Sequence, residues 1–267
     1  MKRALEILRT YAELCSKNEI STAAAALSYY LTLTFFPLII CLYALLGSNY
    51  EKALRVFGFV YRLIPEQAGK VVADFILYVS QNHSAPMLAT GIAALVSTSS
   101  AAVRSMQAII GKMQGGQRFH GIRDVVFSVL FSLLFIAALY FSVLILLTGR
   151  EALVFLSKIL PFVSADSSWT YLRFLLLAGI ELMIIRVVYS VSKREEDDYS
   201  TVPGAAFATV AIVAVSLVFS VFIGASAKYP LIYGSLAALI LLMFWLYLCC
   251  MVIYLGAALN IVLDKML

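Results

Sequence analysis

Charged residues are scarce in this sequence. Asp, Glu, Lys and Arg together make up 13% of its 267 residues, and 63% of the residues are hydrophobic. Soluble domains usually carry about 25% charged residues. The composition therefore excludes an ordinary soluble protein. The net charge of +5 is typical of basic loops beside membrane spans, so it does not indicate nucleic-acid binding.

The sequence also lacks motifs for metal binding, for disulfide pairing and for nucleotide binding. The two histidines, His83 and His120, lie far apart in the sequence, and there is no glycine-rich phosphate loop. None of the four cysteines belongs to a C-x-x-C pair. These absences argue against a histidine-rich metal site, a disulfide framework and a nucleotide site. We therefore expect no cofactor and no enzyme activity of the soluble type.

The N-terminal segment lacks the uninterrupted apolar stretch of a signal peptide, because Glu6, Arg9 and Glu13 interrupt it. A less polar stripe recurs there at helical spacing, formed by Ala4, Leu8, Tyr11 and Cys15. This pattern predicts an amphipathic helix at the membrane surface before the first span.

Long uncharged segments are what the sequence does contain. The longest runs from Tyr229 to Leu263 without one Asp, Glu, Lys or Arg. Roughly 20 apolar residues are enough for a helix to cross the bilayer core. Few soluble helices stay uncharged for so long, because they need a solvated face. The protein is therefore expected to act in or at a membrane, in contact with its lipids.

Six such segments predict an all-α, multi-pass protein with a single transmembrane domain over residues 1–267. The predicted spans are about 23–46, 86–110, 125–148, 171–191, 203–225 and 231–258. Runs this long and continuous do not fit the short alternating strands of a β-barrel. Three spans begin at proline, which suits the first helical turn: Pro86, Pro203 and Pro230. Pro37 lies inside the first span, where it predicts a kink or a break.

The loop over residues 48–85 is long enough to hold its own structure. Apolar residues recur on one helical face within it: Ala68, Val71, Val72, Phe75, Ile76 and Val79. This spacing predicts a helix, which either packs on the bundle or lies in the membrane interface.

Basic residues predict the orientation. Four of them lie in the last part of span two or between spans two and three, at Arg104, Lys112, Arg118 and Arg123, and others follow span four. The positive-inside rule places such loops in the cytoplasm. With six spans, both termini would then be cytoplasmic.

Charged groups within the spans are costly, so each is a candidate for function. Glu181 is the deepest carboxylate, and it needs a partner from another helix, a water-filled cavity or a proton. It either lines a polar pathway or is neutralised by an interhelical pair. Arg186 either shares that pathway or reaches the membrane interface. Arg104 is a candidate for attracting an anionic headgroup.

Hydroxyl-bearing and small residues give a second set of candidates. Ser97 and Ser100 belong to a run of hydroxyl residues in span two, which serves either close helix packing or a cavity wall. Tyr30 is the corresponding candidate in span one. Gly234 and Ala238 form a small-xxx-small pair for close packing, and Asn260 is expected to act as a cap or an interhelical hydrogen bond.

Four segments together resemble one family, the YihY/virulence-factor BrkB family of bacterial inner-membrane proteins. They are AAAALSYYLTLTFFPLI (residues 23–39), STSSAAVRSMQAI (97–109), VPGAAFA (202–208) and YGSLAALILLMFWLYLCCMVIYLGAALN (233–260). The resemblance implies six spans in a bacterial inner membrane. The chain departs from the family pattern at Ala258, where a glutamate is expected. The family has also carried the label ribonuclease BN, and the missing histidine and carboxylate cluster argues against that activity.

Transport is the function that these features favour. The substrate would be lipid-like or an anionic amphiphile, and its pathway would include Tyr30, Ser97, Ser100, Arg104, Glu181 and Arg186. The alternative is a membrane scaffold that recruits an envelope protein or a second copy of itself. A membrane-embedded enzyme is the least favoured reading.

Overall fold

The computed structural model describes residues 2–46, 49–61, 66–116, 165–193, 199–225 and 236–266, together with scattered residues between 126 and 145. Every regular element in these ranges is an α-helix. The helices are α1 (Lys2–Lys17), α2 (Ile20–Leu45), α3 (Tyr50–Tyr61), α4 (Glu66–Asn82), α5 (Ala85–Met113), α6 (Ala165–Ser192), α7 (Val202–Ala225) and α8 (Leu236–Met266).

Five of these helices contain stretches long and apolar enough to cross a membrane. Within the described part of the chain they are Ile20–Leu45, Ala85–Met113, Phe174–Ser192, Val202–Phe219 and Leu239–Asp264. They correspond to predicted spans one, two, four, five and six, so the prediction of an all-helical membrane protein is confirmed. Predicted span three, residues 125–148, falls largely outside the described residues. Those that are described there are helical.

The main core consists of buried residues from five helices: α2, α5, α6, α7 and α8. Helix α2 packs against α5 and α8, and α7 packs between α6 and α8. The largest fully buried side chains of this core are Tyr189 and Tyr254. Helix α8 therefore lies at the centre of the contacts that hold the described spans together.

The sequence predicts a kink or a break at Pro37. Helix α2 continues through Pro37 from Ile20 to Leu45, which excludes the break, and the kink stays a prediction. A proline removes a single backbone hydrogen bond. Neighbouring helices can hold a transmembrane helix together across such a gap.

A second, smaller core lies at the far end of α2. Val72, Ile76 and Val79 of α4 are buried against Ile39 and Tyr43 of α2. The loop helix thus packs on the bundle, which was one of the two predicted arrangements. The side chains of Ala68 and Val71 lie outside the described residues.

Helix α1 turns into α2 at Asn18 and Glu19. Glu19 has a φ of 48°, the left-handed conformation that non-glycine residues rarely adopt. The turn lets α1 pack on α8, with Tyr11 and Leu14 against the main core. Leu8 of the predicted stripe is 64% exposed and is not part of this core, and the placement of the stripe at the membrane surface stays a prediction.

Candidate functional site

Helices α7 and α8 touch at two glycines. A Cβ atom added to Gly204 would collide with the carbonyl oxygen of Gly256. One added to Gly256 would lie 2.6 Å from the carbonyl oxygen of Gly204. The blocking atoms belong to the backbone and cannot rotate away, so neither position accepts a side chain. The buried Ala205 and Ala208 continue this contact along α7.

Asn260 of α8 caps the start of α7. Its Oδ1 accepts a hydrogen bond from the backbone N–H of Gly204 at 2.6 Å, and its Nδ2 donates to the carbonyl of Thr201 at 3.2 Å. The first backbone N–H groups of a helix have no partner within that helix. Asn260 is only 2% exposed, so it supplies from another helix the bond that water cannot. We call Thr201, Gly204, Gly256 and Asn260 the α7–α8 joint.

Two tyrosines bind the backbone of α8 beside the joint. Tyr189 of α6 donates a hydrogen bond to the carbonyl of Ile253 at 2.5 Å, and Tyr11 of α1 donates to the carbonyl of Leu255 at 3.0 Å. Burial, with a smaller contribution from Cys15, raises the pKa of Tyr11 to about 12. Helices α1, α6 and α7 therefore all form hydrogen bonds to one short segment of α8.

The same end of the bundle carries a polar cluster around Tyr199. The amide of Gln114, just after α5, donates to the Tyr199 hydroxyl at 2.6 Å. Lys193, just after α6, donates to the Tyr199 carbonyl at 2.9 Å and lies 4.8 Å from the centre of its ring. The ends of α5 and α6 and the start of α7 thus lie together, on the side of the bundle that also holds the joint.

The hydroxyl run of α5 divides between several surroundings. Thr98 accepts a hydrogen bond from Thr34 of α2 at 3.0 Å. Ser99 and Ser100 are buried, while Ser97 is exposed. The run thus contributes both a helix contact and an exposed hydroxyl.

Arg104 connects α5 to the third segment. Its Nη1 donates to the hydroxyl of Ser128, which is fully buried, at 3.2 Å. Because Ser128 lies near the start of predicted span three, this contact places that start beside the last third of α5.

Glu181 lies part-buried in the apolar part of α6. It makes no ion pair with a described residue and no hydrogen bond to one. Arg186 is exposed on the same helix and does not pair with Glu181. Within the described part of the chain, Glu181 is thus a carboxylate without a neutralising partner.

An apolar groove of about 280 Å³ lies between α6 and the third segment, and its lining includes Ile180, the neighbour of Glu181 in the sequence. Ile180 and Ile184 of α6 line one side, and Ala138 and Phe141 of the third segment line the other. The groove has room for part of an acyl chain but offers it almost no polar contact.

The six predicted pathway residues are spread over three helices, α2, α5 and α6. Tyr30 packs part-buried against the main core. Gly234 and the side chain of Ala238 lie outside the described residues, so their packing role stays a prediction. Within the same limits, no group of three or more His, Cys, Asp or Glu comes together.

The sequence analysis overlooked Gly204 as the partner of Gly256, and it overlooked Tyr11 and Tyr189 as bonds to α8. The glycine contact could have been predicted, because Gly204 and its alanine neighbours form a small-residue segment at the start of a helix. The tyrosine contacts join positions up to 244 residues apart, and no local pattern reveals such a contact.

The comparisons with known proteins agree with this architecture. The family described as virulence factor BrkB matches residues 12–267. The chain therefore belongs to the BrkB family of membrane proteins. A Bacillus subtilis protein named as ribonuclease-like, YfkH, is 27% identical over 257 residues, which cover 93% of this chain and 91% of that protein.

Two further relatives are named only as UPF0761 membrane proteins. One, from Aromatoleum aromaticum, is 27% identical over 91% of this chain, but the match spans just 60% of that relative. The other, from Histophilus somni, is 26% identical over 94% of this chain and 87% of its own length. No solved structure matches the chain.

Proposed function

We propose that this protein transports a lipid-like or anionic amphipathic substrate along a polar path within the membrane. The observation that carries this proposal is Glu181, a part-buried carboxylate in a transmembrane helix with no neutralising partner among the described residues. Ionisable groups at such depth are expensive and usually line substrate or ion pathways. The apolar groove that Ile180 lines supplies a surface for the hydrophobic part of an amphiphile.

The chain connectivity supports six spans. Helix α5 ends at the side of the joint, because Gln114 just after it binds Tyr199. Helix α6 ends at that same side, where Lys193 also binds Tyr199. Its 28 residues extend roughly 42 Å, so α6 begins at the opposite side. The chain between α5 and α6 then has to cross the membrane once, and we assign this crossing to residues 125–148.

The charge distribution supports an orientation with both termini in the cytoplasm of a bacterium. The joint side carries Arg9, Lys17, Lys112 and Lys193. Basic residues near span ends favour the cytoplasmic side of the inner membrane. Both α1 and the end of α8 lie on this side, so the two termini share it.

A scaffold is the second candidate. Leu77 and Tyr78 of α4 are exposed by 40% and 55% at the opposite side of the bundle. They form a small apolar patch on which an envelope protein or a second copy of the chain could dock. The patch is limited to one helix, which is why transport is the first proposal.

Ribonuclease activity is not part of the proposal, although YfkH is named as ribonuclease-like. We propose that the protein is not an enzyme. Its conspicuous polar groups are a single carboxylate, an arginine bound to a serine, and hydroxyls that bind helix backbones. Such groups suit passage of a substrate better than bond cleavage.

The test is lipid movement in reconstituted vesicles. The full chain is placed in vesicles of phosphatidylglycerol and phosphatidylethanolamine that contain a fluorescent phospholipid, and quenching from outside reports movement between leaflets. We expect the wild-type protein to accelerate this movement and Glu181→Gln to slow it about tenfold, equivalent to roughly 1.4 kcal/mol. Glu6→Gln, an exposed carboxylate change in α1, should leave the rate unchanged. A wild-type rate equal to that of protein-free vesicles would overturn the proposal.

A further inference from the structure

A second cavity lies at the end of the bundle opposite the joint. It has a volume of about 290 Å³ and is formed where α2, α4 and the start of α5 meet. Ile40 and Tyr43 of α2 and Val79 of α4 line its interior, and Tyr43 and Val79 are buried. The interior is therefore almost entirely apolar.

The rim of this cavity is polar. His83 and Ser84, both exposed, line it between α4 and α5. The Nδ1 of His83 is 2.9 Å from the carbonyl of Ser80. A carbonyl only accepts hydrogen bonds, so Nδ1 carries a proton, and Nε2 can donate to an external acceptor only when the ring carries its second proton. The Ser84 hydroxyl accepts a long bond from the N–H of Met87 at 3.4 Å and keeps its own O–H for donation.

The cavity lies at the level where the acyl chains of a bilayer meet the headgroups. Tyr43 and Ala44 lie in the last turn of the candidate span Ile20–Leu45, and Ala85 begins the candidate span Ala85–Met113. The cavity thus extends from the ends of two spans a few ångströms into the apolar layer. Its polar rim faces outward and its apolar interior lies between the helices.

We infer that this cavity binds one phospholipid of the adjacent leaflet. The first part of an acyl chain would occupy the space beside Ile40, Tyr43 and Val79, and the phosphate would accept hydrogen bonds from the Nε2–H of a doubly protonated His83 and from the Ser84 hydroxyl. The polar and apolar surfaces are arranged in the same order as those of a lipid. The inference does not depend on transport, because the site is complete on the described residues of α2, α4 and α5.

Native mass spectrometry of the full-length protein in detergent tests this inference. Phosphatidylglycerol is added stepwise, and the dissociation constant of the first bound lipid is measured. Ala44→Phe places a ring in the cavity and should weaken that first binding event about tenfold or more, as expected when a well-filled apolar site is lost. Ala89→Phe, the same change at an exposed position of α5 outside the cavity, should leave it unchanged.

His83→Phe separates headgroup recognition from filling of the cavity. The ring is kept, but its hydrogen bond to phosphate is lost, so binding should weaken about tenfold. Because His83 is exposed, this variant should fold even if Ala44→Phe does not. Equal lipid binding by the wild type and His83→Phe would overturn the inference. Displacement of the lipid by millimolar inorganic phosphate would also overturn it, because the site would then recognise the free anion without the chain.

Discussion

Asn260 and Glu181 are both polar residues within apolar helices, and the structure treats them differently. Asn260 is 2% exposed, and its amide oxygen and nitrogen each have a backbone partner. Glu181 is part-buried and has no neutralising partner among the described residues. A polar group whose bonding capacity is used by the protein belongs to the framework. A polar group without hydrogen-bond or ionic partners in the protein is available to water, protons or a substrate.

The joint around Asn260 should therefore respond strongly to changes in packing. Gly204→Ala puts a methyl group against the carbonyl of Gly256. Overpacking usually costs about 1–3 kcal/mol, and we expect more than about 3 kcal/mol here because the obstacle is backbone. Thermal unfolding in detergent measures the effect. Gly179→Ala in α6, where an added Cβ has no neighbour within 4 Å, is the control and should be neutral or stabilise by up to about 1 kcal/mol, because alanine is the better helix former. Equal stability of both variants would show that α7 and α8 do not touch at these glycines.

Removing the cap should give the next largest effect. Asn260→Leu leaves the Gly204 N–H buried without a partner, whereas the Thr201 carbonyl keeps its bond from the Ala205 N–H. An unsatisfied buried group costs about 1–3 kcal/mol, so we expect a loss of about 1–3 kcal/mol in the free energy of unfolding. Asn82→Leu, the same change at an exposed site at the end of α4, serves as the control. A loss under about 0.5 kcal/mol at Asn260 would mean that the cap is not formed.

The comparison also shows what a sequence can reveal. The five candidate spans follow from hydrophobicity and length, and Pro86 and Pro203 lie in the first turns of α5 and α7, as predicted. Asn260 and Glu181 were both recognised as unusual. Their roles could not be separated, because the partners of Asn260 lie 56 and 59 residues away and become neighbours only after folding. The continuation of α2 through Pro37 depends on neighbouring helices for the same reason.

Tyr11 allows a smaller and pH-dependent test of the joint. Tyr11→Phe removes the hydrogen bond to Leu255, which should cost about 1 kcal/mol near neutral pH. The pKa of Tyr11 is raised by burial to about 12, so the bond contributes fully below about pH 10, the ordinary value for tyrosine. Above that, the unfolded chain loses the proton first, and the wild-type advantage should shrink between pH 10 and 12.

Unfolding of the wild type and Tyr11→Phe is compared across this pH range. Tyr78→Phe, at an exposed tyrosine of α4, controls for general alkaline effects. An advantage of wild type that stays constant from pH 8 to pH 12 would contradict the buried hydrogen bond.

Glu19 should give the smallest effect, and it should have the opposite sign. Its φ of 48° costs a residue with a side chain about 1–2 kcal/mol, while glycine adopts the conformation freely. Part of this gain is lost through the greater freedom of glycine in the unfolded chain, so we expect Glu19→Gly to stabilise the protein by up to about 1 kcal/mol. Glu13→Gly, in the middle of α1, should destabilise it by about 1 kcal/mol. Destabilisation by both variants would contradict the left-handed turn.

The most direct test of the central claim is whether water reaches Glu181. Cys15, Cys41, Cys249 and Cys250 are first replaced by alanine, and Glu181→Cys and Val210→Cys are made separately in that background. The proteins are reconstituted in vesicles and treated with a charged methanethiosulfonate reagent, and the modified fraction is measured by mass spectrometry. Val210 is 71% exposed on the apolar surface of α7 and does not line the groove, so lipid should exclude the reagent there. The account predicts rapid modification at position 181 and almost none at 210. Equal protection of both positions would contradict a polar path to Glu181.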